Sequence, residues 1–373
     1  MTLHAALVAA AQQVAGAFFG AFLLKNGVGL ALTILAYAGS LGIRFFLRFL
    51  VLILVRRFGL RPIVILGTIL QAVQFLMLAR AGGPGGLLPW MLSLAIADAL
   101  YWPVFHALMA ASAEPGRRGT QLGALEAMRA LAGVAGPAIG GWLLAHAGGG
   151  ATFGLGALVE LAAIIPVWSL PDLPAGPVPG FRKALAGDRV GFLLAASDGW
   201  LTMGWWYVWT LALFLTLDGN FTVYGGALAL SGLVAAALGL VAGRLLDLGH
   251  GTRMLMLVST IMVAAIAARA LSVGHPTLAF IVNAVSAMAA PLYTTTYMRT
   301  LYNRSKQHGA FAFSFFAEAG WDAGAGLGCV AASLIVASGL PLSFAILPAL
   351  LGMAALHLTM LAAERNPPRL ASE

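Results

Sequence analysis

Runs of uncharged, apolar residues follow one another along this chain with almost nothing between them. Crossing the hydrocarbon of a bilayer takes about 20 such residues in a helix, because lipid offers the backbone no hydrogen-bond partners. Twelve runs of that kind fit: 5–24, 29–55, 62–81, 86–112, 118–146, 150–170, 190–217, 223–246, 253–273, 276–299, 309–337 and 341–363. They take up nearly all of the 373 residues and leave no room for a water-soluble domain. The predicted class is an all-α polytopic membrane protein with 12 transmembrane helices. Charged residues make up only 9% of the chain, against about a quarter in an ordinary soluble domain. A net charge of +8 would point to nucleic acid in a soluble protein. Here the basic residues fall in short loops, and no nucleic-acid partner is expected. The first run has no basic stretch before it and no clear small-residue cleavage site, so it reads as a retained helix. One cysteine, Cys329, excludes a disulfide framework and a multi-cysteine metal site.

The longest polar break, 171–189 (PDLPAGPVPGFRKALAGDR), divides the runs six and six. It predicts a first bundle over 1–170, a linker over 171–189, and a second bundle with a short tail over 190–373. Basic residues set the orientation. Arg56, Arg57, Arg61, Arg117, Arg118, Arg182, Lys183, Arg189, Arg244, Arg253, Arg299, Arg304, Lys306, Arg365 and Arg369 fall on one side. Lys25, Arg80 and Arg269 fall on the other. This asymmetry predicts cytoplasmic termini and a cytoplasmic linker, in the plasma membrane (the inner membrane of a bacterium).

The halves echo each other at a spacing near 190 residues. Ala79-Arg80-Ala81 recurs as Ala268-Arg269-Ala270, and Pro103-Val104-Phe105 as Pro291-Leu292-Tyr293. The loop from Arg118 to Gly123 (RGTQLG) recurs from Arg304 to Gly309 (RSKQHG). Three echoes in order argue for a duplicated six-helix unit, and repeats of this kind are a feature of transporters. The stretch from Leu52 to Arg61 (LILVRRFGLR) carries arginine where a G-x-L-a-D-R-x-G-R-K loop motif has its aspartate. The stretch from Gly243 to Arg253 (GRLLDLGHGTR) keeps the aspartate as Asp247. In the fifth run, Ala132 and Gly133 precede Gly136-Pro137 and Gly140-Gly141, close to a G-x-x-x-G-P-x-x-G-G pattern.

On these residues the chain resembles the major facilitator superfamily over essentially its whole length. The resemblance implies two pseudo-symmetric six-helix bundles around a central cavity. It also implies alternating access, with the second and eleventh helices facing each other across the boundary between the halves. The fifth run resembles the family's antiporter motif, so Gly133, Gly136, Pro137, Gly140 and Gly141 are expected to kink a helix that moves. The arginine often carried by the family's fourth helix is absent here, where Asp98 stands instead.

Charges inside hydrocarbon are expensive and usually functional. Asp98, Glu126, Glu160, Asp198, Glu318 and Asp322 lie within runs, as do Arg44, Arg48 and Arg129, so the second half is expected to hold three acids and no internal base. Arg44 and Arg48 share one helix face, as do Glu318 and Asp322. Counted from the cytoplasmic ends, Arg48 and Glu318 lie at about 12–15 Å, and Arg44 and Asp322 at about 18–21 Å. The expectation is a two-step ionic ladder, Arg48–Glu318 and Arg44–Asp322, which either works in transport or only fixes helix register. Glu126 and Arg129 either satisfy each other along one helix or form a gate. Glu160 reads as a structural or neutral acid, not a ligand.

Asp198, Thr202, Trp205 and Trp209 make one helical stripe. An acid beneath two indoles suits an organic cation, unless the tryptophans belong to the interfacial belt. Asn283, Ser286, Tyr293 and Tyr297 make a comparable stripe on the tenth run. Gln12, Gln13, Asp98 and Tyr101 are expected to complete the cavity lining. By the family's pseudo-symmetry, Asp247 with Arg117 or Arg118 would form a single cytoplasmic latch. His250 and Met254 have soft-metal spacing without a partner, and no metal is expected. His106 and His357 serve either packing or proton relay.

The expected function is secondary active transport, with proton-coupled export of a small cationic or amphipathic molecule preferred. The alternative is proton-coupled transport of an anion bound by Arg44, Arg48 and Arg129. An alternative of another class is a non-transporting scaffold. No nucleotide-binding loop or nucleophile–base pair stands out. Neither enzyme activity nor a cofactor is therefore expected; the proton gradient is the energy source, a small molecule and the bilayer are the partners, and the protein is a monomer.

Overall fold

A computed structural model describes residues 1–111, 118–170, 188–246, 251–305 and 310–365, which are helical with short turns. The helices of the first half are α1 (Thr2–Lys25), α2 (Leu30–Phe58), α3 (Leu60–Leu78), α4 (Pro84–Ala111), α5 (Arg118–His146) and α6 (Gly148–Trp168). Next, α7 runs as Arg189–Thr202, a π-helical turn Met203–Val208, and Trp209–Thr216. Then come α8 (Phe221–Leu246), α9 (Gly251–Ser272) and α10 (Pro276–Ser286 with Ala289–Ser305). Last are α11 (Ala310–Ala337) and α12 (Leu342–Ile346 with Pro348–Arg365).

Eleven of these are long and apolar enough to cross a bilayer, and they make the chain an integral membrane protein. The sequence predicts twelve. The difference is α7, whose widened π-helical turn splits it into pieces of 14, 6 and 8 residues. The break in α10 has a local cause. Pro291 cannot donate to the Ala287 carbonyl four residues earlier and its ring crowds that group, and the helix yields at Ala287–Met288.

Helices α3 and α4, α1 and α5, and α3 and α6 pack together in the first half, while α7 packs on α11 and α12 in the second. Two seams join the halves, α2 with α11 and α5 with α8. Small residues bring backbones close along both sides of α11 and α5. A Cβ at Gly324 of α11 would stand 2.6 Å from the Ala196 carbonyl carbon on α7. On α5, a Cβ at Gly136 would meet Gln13 Cβ at 2.6 Å, and Gly140 lies on the Val14 carbonyl. Across the second seam Gly133 opposes Gly232, while Gly141 and the Pro137 carbonyl oppose Gly225. The α5 residues predicted as a kink thus serve close packing on α1 and α8, within a helix that continues unbroken through Pro137.

The end of the α5–α8 seam at Gly141 and Gly225 is shut, and beside it α1 and α2 close on α7 and the turn that follows it. Phe19 stacks on Tyr207 at 5.0 Å between centroids, Tyr207 Oη donates to the Thr33 carbonyl, and Lys25 donates to the Gly219 carbonyl. Toward the other end, Glu126 and Arg129 sit seven residues before Gly133 and Gly136, on the same helix face. Yet they are exposed, at 59% and 41% of their side-chain surface. The face of α5 is therefore left open at these two residues beyond Gly133, whereas α2 and α11 are in contact through Phe49 and Phe315.

Candidate functional site

Where α2, α4 and α11 meet, the interior is ionic. Arg44 and Arg48 share a face of α2 and are 3% and 0% exposed; Asp322 of α11 is 1% exposed. Gly320 and Gly324 point the opposite side of α11 at the α7 backbone, which leaves Asp322 and Glu318 facing α2. Arg44 Nε donates to Asp322 Oδ1 at 2.5 Å, and Arg48 Nη2 donates to Asp322 Oδ2. Arg44 Nη1 also donates to Asp98 Oδ2 at 3.0 Å. The other oxygen of Asp98 accepts from Gln71 Nε2 at 2.6 Å and Trp102 Nε1 at 3.0 Å. Glu318 lies 3.8 Å from Arg48 and 3.5 Å from His106 Nε2, at the half-exposed rim.

The predicted ladder is therefore a fork. Asp322 holds both arginines, Asp98 shares Arg44, and Glu318 leans on Arg48 from outside. An isolated buried charge costs several kcal/mol, and the fork gives each buried ion an opposite partner. Two guanidiniums against three carboxylates leave +2 − 3 = −1 before His106 is counted. Arg48 Nε and Nη1 are buried without a hydrogen-bond partner among the described residues. Arg44 also lies 5.1 Å from the ring centroid of Trp321.

A second polar group lies on α7 and α10. Asp198 is buried and accepts a hydrogen bond from Tyr293 Oη, and Tyr293 stacks on Tyr297 at 6.0 Å with 8° between planes. Thr202 is half-buried one turn away. The expected indoles are elsewhere employed. Arg269, read from sequence as an outer-side charge, is 5% exposed and lies over Trp205 at 3.5 Å and Trp209 at 5.3 Å. It donates to Ser286 Oγ at 2.8 Å and to the Trp205 carbonyl within the π-helical turn. The cation between the tryptophans is thus the protein's own, and the second half does contain an internal base.

Other expected lining residues are also committed within one half. Asn283 accepts from Trp209 Nε1 at 2.9 Å and donates to the Ala227 carbonyl and to Ser231 Oγ, which leaves its amide no free N–H for a ligand. Tyr101 is 1% exposed, stacks on Phe105 and bonds His4 Nε2 at 3.1 Å, inside the first half. Gln13 sits against Gly136, and Gln12, half-buried, stays near Gly16 on its own helix. Arg129 Nη1 donates to Glu126 Oε1 at 2.9 Å. Of the expected latch, Asp247 and Arg117 lie outside the described residues, and Arg118 is described in its backbone alone. Arg304 instead pairs with Asp188, which also accepts from Val190 N at 3.1 Å as the cap of α7.

The sequence reading missed Gln71, Trp102 and Trp321 as partners. Asp98, Trp102 and His106 stand at i, i+4 and i+8, a stripe that would have tied His106 to Asp98's face. Arg269 was misplaced because the repeat it belongs to matched it to Arg80, a loop residue.

No protein-family model matches this sequence, and no curated protein sequence matches it either. Solved structures do match in shape. The nucleoside transporter NupG aligns with a TM-score of 0.65 at 13% identity, over 98% of both chains. An auto-inhibited POT family peptide transporter aligns at 0.63 and 15% identity, over 100% of this chain and 98% of that one. The E. coli fucose:proton symporter FucP aligns at 0.65 and 11% identity, over 97% of each. Two are named as transporters and one as a symporter. The chain shares their fold. At these identities the likeness is one of architecture.

Proposed function

We propose that this protein is a proton-coupled secondary transporter that works by alternating access between two six-helix halves, with α7 as the twelfth span. The carrying observation is the fork of Arg44, Arg48, Asp98, Asp322 and Glu318, which spans both halves and holds one negative charge too many. His106 beside Glu318 gives the neutralising proton a place at the rim. Adding a proton there weakens the hold of Glu318 on Arg48; removing it restores that hold. A charge that both joins the halves and depends on a proton couples proton binding to their separation.

The substrate assigned is a small organic cation or amphipathic molecule, bound near Asp198, Tyr293 and Tyr297. A cation and a proton competing for acids exchange with each other, so an inward proton gradient drives export. An anion is disfavoured because Arg44 and Arg48 face carboxylates and Arg129 is paired with Glu126. The shut end of the seam is assigned to the outside and the open end, with Glu126 and Arg129, to the cytoplasm, in keeping with the basic loops. A second reading, symport of an uncharged polar solute, draws support from the fucose:proton symporter among the structures of like fold.

Proteoliposomes loaded with a pH-sensitive dye test this. Adding organic cations to the outside should alkalinise the lumen, as entering cations exchange for leaving protons, only in vesicles with active protein; Glu318→Gln should abolish the signal, and acidification would favour symport instead. Substrate flux without any proton movement would refute the coupling.

A further inference from the structure

Glu160 of α6 takes no part in the fork, yet it is fully buried and neither carboxyl oxygen has a hydrogen-bond partner among the described residues. Helix α6 runs antiparallel to α3 and packs on it. The two are in register at Gly156, where an added Cβ would lie 3.6 Å from the Phe75 ring. One turn along α6 from Gly156 is Glu160, and one turn back along α3 from Phe75 is Gln71. These two side chains therefore stand level.

Gln71 is itself 1% exposed. Its Nε2 is committed to Asp98 at 2.6 Å, which fixes the amide and turns Oε1 away from Asp98; that oxygen also lacks a partner. The histidine nearby supplies nothing, because His4 Nδ1 lies on the Ala163 carbonyl at 2.7 Å and Nε2 on Tyr101 Oη. Asp98 and Tyr101 are the titratable groups within electrostatic reach of Glu160. Three buried acceptor oxygens thus lie at one level with no donor among the described residues, and a proton on Glu160 lets one of its oxygens pair with Gln71 Oε1.

We propose that Glu160 holds a proton in the folded protein and donates it as a hydrogen bond to Gln71 Oε1, so that Glu160 acts through Gln71 as a positioning residue for Asp98. With the proton on Glu160, the NH2 of Gln71 faces Asp98 and donates one hydrogen bond to it, and Asp98 is ionised and pairs with Arg44. If Glu160 gives up its proton, the amide must turn its NH2 toward the new carboxylate. Its Oε1 then faces Asp98, which must take up a proton in turn. The amide stays neutral throughout, and it only makes the two protonation states exclusive. The consequence for transport rests on the proton-coupled reading; the proton on Glu160 does not.

Infrared spectroscopy of the purified full-length protein tests the site without any transport assay. Wild type at pH 8 should show the C=O stretch of a protonated carboxylic acid. Glu160→Gln, isosteric with the neutral acid, should lose it, and Gln71→Leu should keep it at a shifted frequency. Wild type with no such band overturns the proposal even if a variant fails to fold. So does a band that survives in Glu160→Gln, or one that does not move in Gln71→Leu. Loss of the band in Glu160→Gln from a protein that moves no protons would refute the transport reading and leave this site standing.

Discussion

Replacing Asp322 by asparagine takes the shared carboxylate from between two buried guanidiniums. Arg44 keeps Asp98 at 3.0 Å, but Arg48 keeps only Glu318 at 3.8 Å, so the loss falls mainly on Arg48. Removing one partner of a buried pair costs about 3–5 kcal/mol, because the other charge is left uncompensated. Movement of Glu318 toward Arg48 should hold the loss near the lower figure. Each 1.4 kcal/mol is tenfold, so the folding equilibrium should fall by roughly 2 to 4 orders of magnitude. Chemical unfolding in micelles, followed by tryptophan fluorescence, gives the number. Arg48→Met added to Asp322→Asn should recover most of the loss, since Arg44 keeps Asp98 and Glu318 keeps His106 at the rim, and Glu318→Gln added instead should deepen it. A loss below about 1 kcal/mol for Asp322→Asn, the level of an exposed pair, would refute the reasoning. No recovery with Arg48→Met would refute it equally.

Arg269→Leu should shift tryptophan emission, through loss of the cation–π contact over Trp205 and of the bond to its carbonyl; unchanged emission would count against it. A side chain at Gly232, on the Gly133 carbonyl, should wedge the α5–α8 seam, so Gly232→Val should reduce transport sharply in the vesicle assay, whereas Gly226→Val, with open space around it, should not. Lys25→Met removes one exposed hydrogen bond to Gly219 and should change stability by less than about 1 kcal/mol in the same unfolding assay.

The helices were legible in the sequence because lipid leaves the backbone few options, and boundaries such as 29–55 against Leu30–Phe58 differ only by a turn at one end. The break in α7 was not, because a π-helical turn has no composition of its own; Met203–Val208 reads as plain apolar helix. Facing pairs on α2 and α11 could be read from i, i+4 spacing together with the fold that the motifs resemble. The sharing of Asp322 between two arginines could not, since spacing gives a face and a depth but no rotamer. Arg269 shows the same limit from the other side. Near the end of an apolar run, a long cationic side chain can snorkel outward or turn inward, and only the positions of Trp205 and Trp209 decide which.

The account stands or falls on whether α2 and α11 part during transport. The Phe49 and Phe315 rings meet across that seam with centroids 5.8 Å apart, so Phe49→Cys with Phe315→Cys, in a Cys329→Ser background, can be bridged by a short bifunctional methanethiosulfonate, which ties the two helices together through reducible bonds. Cross-linking should stop transport in proteoliposomes, and a reductant should restore it. Full-rate transport by the cross-linked protein would contradict the claim.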